Sequence, residues 1–237
     1  MNPKQYFKIQ FDFANKLAQL KNVPLIQSLL RYTNFYRRLG IRGKPTEENS
    51  MWQEYVDGIA EGKDALDWFY FLYTIYKQSK KDVKVERPFG DFGYEVDGDS
   101  VLVHFNPDTT QSVGSLKKEM IPTRMRELSE MFQYIKENEP DIVTVKGYSW
   151  AYNLESYRRL FPLEYTKNPV IVQSFRGSSG WGQFFKSNGE MNQDLIVEFY
   201  KNLENLDPDN PHFVLPFQVL AVSVPIEIFY DFYGIIG

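Results

Sequence analysis

The residues best equipped for chemistry gather in three stretches of the chain. His104 lies in VLVHFNPD, and an imidazole can give or take a proton near neutral pH. Strand alternation would put His104 on the face opposite Val103 and Phe105. The second stretch is GYSWAYN, residues 147–153, where a strand hands over to a helix. Tyr148 and Ser149 are its candidate catalytic groups, and Trp150 and Asn153 its candidate substrate contacts. Free N–H groups at the helix start could hold an anion. The third stretch is FRGSSGWGQFF, residues 175–185. There Arg176, Gly177, Ser178, Ser179, Gly180 and Gly182 could bring backbone N–H groups and one cation to a phosphate. Trp181 and Gln183 would then face the substrate.

Each stretch also has a plainer reading. A single strand histidine is commonly structural. Ser149 or Asn153 could simply cap the helix that follows. The glycine-rich segment could be an ordinary surface loop, although a tryptophan among glycines must pack on something. In the helix after Asn153, Leu154, Tyr157 and Phe161 form a core stripe. Glu155 there stands three and four residues before Arg158 and Arg159, so a surface ion pair is available.

Composition removes several chemistries. The chain has no cysteine, which excludes disulfides, thiolate metal sites and cysteine nucleophiles. With only two histidines, His104 and His212, no metal is expected. His212 follows DPDNP and is expected at the surface. The glycine-rich stretch is no P-loop, because the Gly-Lys-Ser/Thr ending is missing. It is no nucleophile elbow, because Gly180 directly follows Ser179. Charge is uneven: residues 1–81 carry 13 basic and 8 acidic side chains, and residues 82–237 carry 14 and 23. The acidic second half and the lack of a basic run argue against nucleic acid. No apolar run approaches the ~20 residues of a membrane span. The start MNPKQYFKIQF lacks a signal-peptide core, so the cytoplasm is the expected compartment.

The elements that must hold these residues differ between the two halves. Asn2-Pro3 should open a helix with Ile9, Phe13, Leu17 and Leu20 on one stripe. Pro24 should open a second helix, running to Gly40. SMWQEYVDGIA reads as a third helix, and DALDWFYFLYTIY as a fourth, buried on several sides. The charged, proline-broken segment 77–90 reads as a linker. Beyond it, FGYEV and SVLVHF flank Asp-Gly-Asp, a hairpin signal. A helix over about 115–137 follows, which Pro122 either kinks or starts. Then come strand DIVTVKGY, helix NLESYRRLF, strand PVIVQSF, helix NQDLIVEFYKNLENL, long strand HFVLPFQVLAVSV bulged at Pro216, and helix PIEIFYDFYG. This alternation predicts an α/β fold, with α+β the alternative. A helical N-terminal region, 1–80, would pack on a mixed-sheet domain, 91–237.

At LLRYTNFYRRLGI, SWAYNLESYRRLFP, WGQFF and PFQVLAVSVPIEIFYDFYGI the chain resembles a bacterial protein family of about this size that carries no established activity. The order of elements over 101–176 is also similar to the C-terminal portion of GNAT-superfamily acyltransferases. The GNAT resemblance implies a sheet flanked by helices, GNAT-like or three-layered. It also implies acyl-CoA as cosubstrate, and a diphosphate turn of the pattern Gln/Arg-x-x-Gly-x-Gly/Ala at a helix start. Arg176 is followed by Gly180 and Gly182, each one residue later than that pattern asks, and no catalytic residue carries over. The leading expectation is acyl transfer from acyl-CoA to an amine of a small molecule or peptide. His104 would be the base, and 176–183 the phosphate turn. The alternatives are a non-enzymatic protein whose helical region is the partner surface, and a hydrolase using Ser178 or Ser179.

Overall fold

We describe the protein from a computed structural model, over residues 3–41, 46–79, 88–107, 114–173 and 180–236. The chain forms two compact units, and neither is continuous in sequence. The first comprises residues 1–84, 173–184 and 190–216. The second comprises 85–172, 185–189 and 217–237. So part of the segment expected with the sheet belongs to the helical unit instead.

In the helical unit, α1 spans Pro3–Lys21, α2 Leu25–Tyr32, α3 Phe35–Arg38, α4 Ser50–Ala60 and α5 Ala65–Ser79. The helix expected from Pro24 to Gly40 is broken at Thr33, whose backbone is extended. The Thr33 hydroxyl donates to the Leu29 carbonyl and accepts from the Phe35 N–H, replacing helical bonds with local ones. α4 covers the expected residues and is capped by Asn49, whose Oδ1 accepts from Met51 and Trp52. Ile9, Phe13 and Leu17 of α1 are buried, whereas Leu20, near the helix end, is exposed. α5 is less enclosed than its sequence suggests. Phe69 and Leu72 are buried, but Phe71 and Ile75 are about half exposed. Aromatic rings fill this core: Phe7 meets Phe35, Phe69 and Tyr73, and Phe35 stacks on Phe69 at 3.8 Å. A later helix, α9 (Gln193–Glu204), joins through Phe199, which packs on Phe13.

The sheet unit holds β1 (Phe92–Asp97), β2 (Ser100–Phe105), α6 (Ile121–Asn138), β3 (Thr144–Ser149), α7 (Glu155–Arg158), α8 (Leu163–Thr166), β4 (Val170–Ile171), β5 (Leu220–Pro225) and α10 (Glu227–Tyr233). The strand order is β1-β2-β3-β5-β4. Only β2 and β3 run parallel, joined by the α6 crossover, so the sheet is mixed and the α/β expectation holds. Asp97 pairs with Ser100, and Gly98 takes a φ of 63° in the turn, the hairpin that Asp-Gly signalled. Pro122 falls in the first turn of α6, where its missing N–H costs nothing.

Strand lengths differ more from expectation. Among its described residues, PVIVQSF contributes only Val170–Ile171 as strand. The long strand begins at Leu220, because Pro211–Val214 forms a 3-10 turn. The core lies on one face of the sheet. Val101 and Val103 of β2, Val145 of β3 and Val222 of β5 meet Leu128, Met131, Phe132 and Ile135 of α6 and Phe229 of α10. Here alternation along strands meets a 3.6-residue stripe on helices.

Candidate functional site

The sheet has one irregularity at its centre. β2 and β3 pair from Ser100–Thr144 to Leu102–Lys146 and then stop, although each strand continues for three more residues. Past that point each strand keeps only its outer partner. Phe105, His104 and Val103 pair with β1, and Gly147, Tyr148 and Ser149 pair with β5. The parallel pair therefore parts at the carboxyl ends of its strands, the side where sheets of this class accept ligands.

His104 and Tyr148 each stand two residues beyond the Leu102–Lys146 pair, so both lie on the sheet face away from the core. His104 is partly exposed, and its Nε2 is 3.5 Å from Oε2 of the exposed Glu95 on β1. Tyr148 is about half exposed. Register brings these two candidates to one face, beside the end of the β2–β3 ladder.

The neighbouring candidates on β3 have other work. Gly147 points into the core, where a Cβ would overlap the hydroxyls of Tyr152 and Tyr165. Those hydroxyls are 3.0 Å apart and buried. Burial pushes Tyr152, Tyr157, Tyr165 and Tyr233 well above the usual tyrosine range, so all four stay protonated at neutral pH. Ser149 does not join His104 and Tyr148. It lies on the opposite parity of β3, and its Oγ accepts from the Ala151 N–H as the cap of a 3-10 turn at Trp150–Asn153. Asn153 donates to the Trp150 carbonyl at 2.7 Å and the Gln218 carbonyl at 2.8 Å, tying the turn to the segment before β5. Trp150 stacks on Phe217. These contacts favour the capping and packing readings for Ser149, Trp150 and Asn153. Of the four candidates in this turn, Tyr148 is the exposed one, on the face it shares with His104 and Lys146.

Near the start of α6 lie polar residues that sequence reasoning passed over. Asp91 is buried just before β1, and its carbonyl accepts from the Asn106 N–H at the end of β2. Its carboxylate accepts from the Ser115 hydroxyl and pairs with Arg124. Arg124 is itself buried and also meets Glu127 at 2.8 Å. Burial raises Glu127 above the ordinary carboxyl value, despite the Asp91 N–H and Arg124 opposing it. Arg159 donates to the Leu116 carbonyl at 2.8 Å. One signal was readable: Arg124 sits on the apolar stripe of Leu128, Met131 and Ile135, where a cation must find buried partners.

In the glycine-rich stretch, Arg176, Gly177, Ser178 and Ser179 lie outside the described residues. Gly180, Trp181, Gly182 and Gln183 belong to the helical unit. There Trp181 is buried against Phe13, Phe184 and Phe199, and Gln183 is buried with its Nε2 donating to the Gly180 carbonyl. So Trp181 does pack on something, and that something is the core. His212 is buried rather than at the surface, and burial lowers its pKa.

Among the described residues no group of three or more His, Asp or Glu side chains gathers to hold a metal, and no helix is long and apolar enough to cross a membrane. A groove of about 450 Å³ runs along α10, lined by Lys136, Glu227, Tyr230, Asp231, Gly234, Ile235 and Ile236. None of the candidate residues lines it. Comparison with protein-family models, curated proteins and solved structures returned no match.

Proposed function

We propose that the protein is a GNAT-like acyltransferase, or a relative that has lost the activity, using acyl-CoA and an amine of a small molecule or peptide. The observation that carries this reading is the early end of the β2–β3 ladder. Val103–Phe105 and Gly147–Ser149 are not paired with each other beyond that point, although both segments are strand. An extended, amide-bearing ligand such as the pantetheine arm of CoA can take up backbone groups of such segments, as an added strand would.

The order strand, α6 crossover, parallel strand, short helices and antiparallel return supports the same reading. So does Gln111-x-x-Gly114, directly before the turn into α6, which meets the first four positions of the diphosphate pattern. The pattern's final Gly/Ala position is Leu116 here, a departure that leaves room for the degenerate form.

In the active form, the acceptor nitrogen attacks the thioester carbonyl carbon and a C–N bond forms. The departing amine proton passes to His104, the C–S bond breaks, and the thiolate takes a proton from Tyr148. No covalent intermediate on the protein is needed, so positioning, one base and one acid suffice, and His104 and Tyr148 return to their starting states by proton exchange with solvent.

A thermal-shift series with CoA, acetyl-CoA, longer acyl-CoAs and nucleotides tests this. Ligand at 100 times Kd adds roughly 2.7 kcal/mol of stability. A shift with CoA species and none with nucleotides is the expected result, and no shift with any CoA species removes the reading. A second reading, a non-enzymatic interaction protein, draws on α5, where Phe71 and Ile75 stand exposed one turn apart. It gains if the CoA series is flat and Phe71→Ser abolishes self-association or capture of a purified partner.

A further inference from the structure

We infer that Glu95 is a positioning residue for His104, and that the pair acts as one acid–base unit on the open face of the sheet. This deepens the acyltransferase reading and rests on it.

Glu95 pairs with Leu102 in the β1–β2 ladder, and His104 lies two residues farther along β2, opposite Gly93. The two side chains are therefore diagonal neighbours on one face, a spacing that long side chains bridge. Because Gly93 has no side chain, nothing at the directly opposed position fills the space between them. The Nε2 to Oε2 distance is 3.5 Å, an ion-pair distance rather than a tight hydrogen bond. Catalytic contacts in ligand-free proteins are commonly this loose and tighten when charge develops.

The chemistry gives the contact a use. With Nε2–H directed at Glu95, the free lone pair is on Nδ1, and that nitrogen receives the proton lost by the amine. The imidazolium so formed is then opposite a carboxylate, so the proton transfer creates an ion pair rather than a lone cation. Glu95 touches neither acceptor nor thioester. It acts through His104 by holding the ring's orientation and balancing its charge.

The test follows thiol release from acetyl-CoA, with free amino acids and polyamines as acceptors, in wild type, Glu95→Ala, Glu95→Gln, His104→Ala and the double variant. Glu95 is 72% exposed, so its replacement should leave folding intact. The expected result is a fall of about fivefold in kcat for Glu95→Ala with KM unchanged, the scale of an exposed ion pair. Glu95→Gln, which can still accept from Nε2–H, should recover part of that loss. In the His104→Ala background, Glu95→Ala should have no further effect. The Glu95 role alone is overturned if wild type turns over and Glu95→Ala matches it, or if the loss persists without His104. If wild type releases no thiol with any acceptor and binds no CoA, the acyltransferase reading falls and this role with it.

Discussion

Two turns in this chain carry similar residues, a Gly, a Ser or Gln and a Trp, and the structure uses them differently. In Gly147–Asn153, the glycine makes room for two buried tyrosine hydroxyls and the serine caps a 3-10 turn. Tyr148 is left facing outward beside the point where β2 and β3 part. In Gly180–Phe184, the tryptophan and the glutamine both turn inward, and the described part of the turn forms a wall of the helical core. The lesson is about where an aromatic ring goes. A turn becomes a candidate site when its large side chains leave a strand end open, and a core element when they are consumed by packing.

The sharpest way to break that comparison is Trp181→Ala. Removing this ring from among Phe13, Phe184 and Phe199 should destabilise by about 3–5 kcal/mol, read by denaturant unfolding. If stability holds and only ligand binding changes, Trp181 belongs to a site after all. Gly147→Ala comes next, at about 1–3 kcal/mol, because the Tyr152 and Tyr165 hydroxyls must move and their mutual contact is lost. Asn153→Ala removes the donors to two carbonyls and should cost roughly 1–3 kcal/mol.

A pH series sharpens the view of the buried ion pairs at the start of α6. A raised carboxyl pKa in the folded state means that the fold holds this proton more tightly than the unfolded chain does. Glu127 therefore favours folding at pH below its ordinary value, and that advantage is lost as pH rises through the raised one. The melting temperature of Glu127→Gln relative to wild type should accordingly be higher at pH 7 than at pH 4. The smallest effect is expected at His104→Ala, within about 0.5 kcal/mol of wild-type stability, because the ring is partly exposed and its one described ion-pair partner lies in solvent. A large loss there would move His104 from the open face into the core account.

Much of the architecture was legible from local pattern. Helix stripes and the Asp-Gly hairpin follow from residue geometry within a few positions. The face that His104 takes follows from strand alternation alone. The errors are of two kinds, one local and one not. α2 and α3 separate because a threonine hydroxyl competes for backbone groups, and β4 and β5 are short because pairing needs a partner strand, which no single segment encodes. Arg124 and Glu127 stand three residues apart on one helix, but their partner Asp91 lies before β1 and could not be read from spacing.

So the sequence by itself determined which residues could do chemistry and which chemistries had no reagent. With no cysteine and two histidines, these are facts of inventory. Only the tertiary structure decided that Tyr148 shares a face with His104 and Glu95 while Ser149 does not, and that Trp181 is spent in a core. Register between strands distant in sequence sets the first, and competition among large rings for buried volume sets the second. Neither is a property of any one segment.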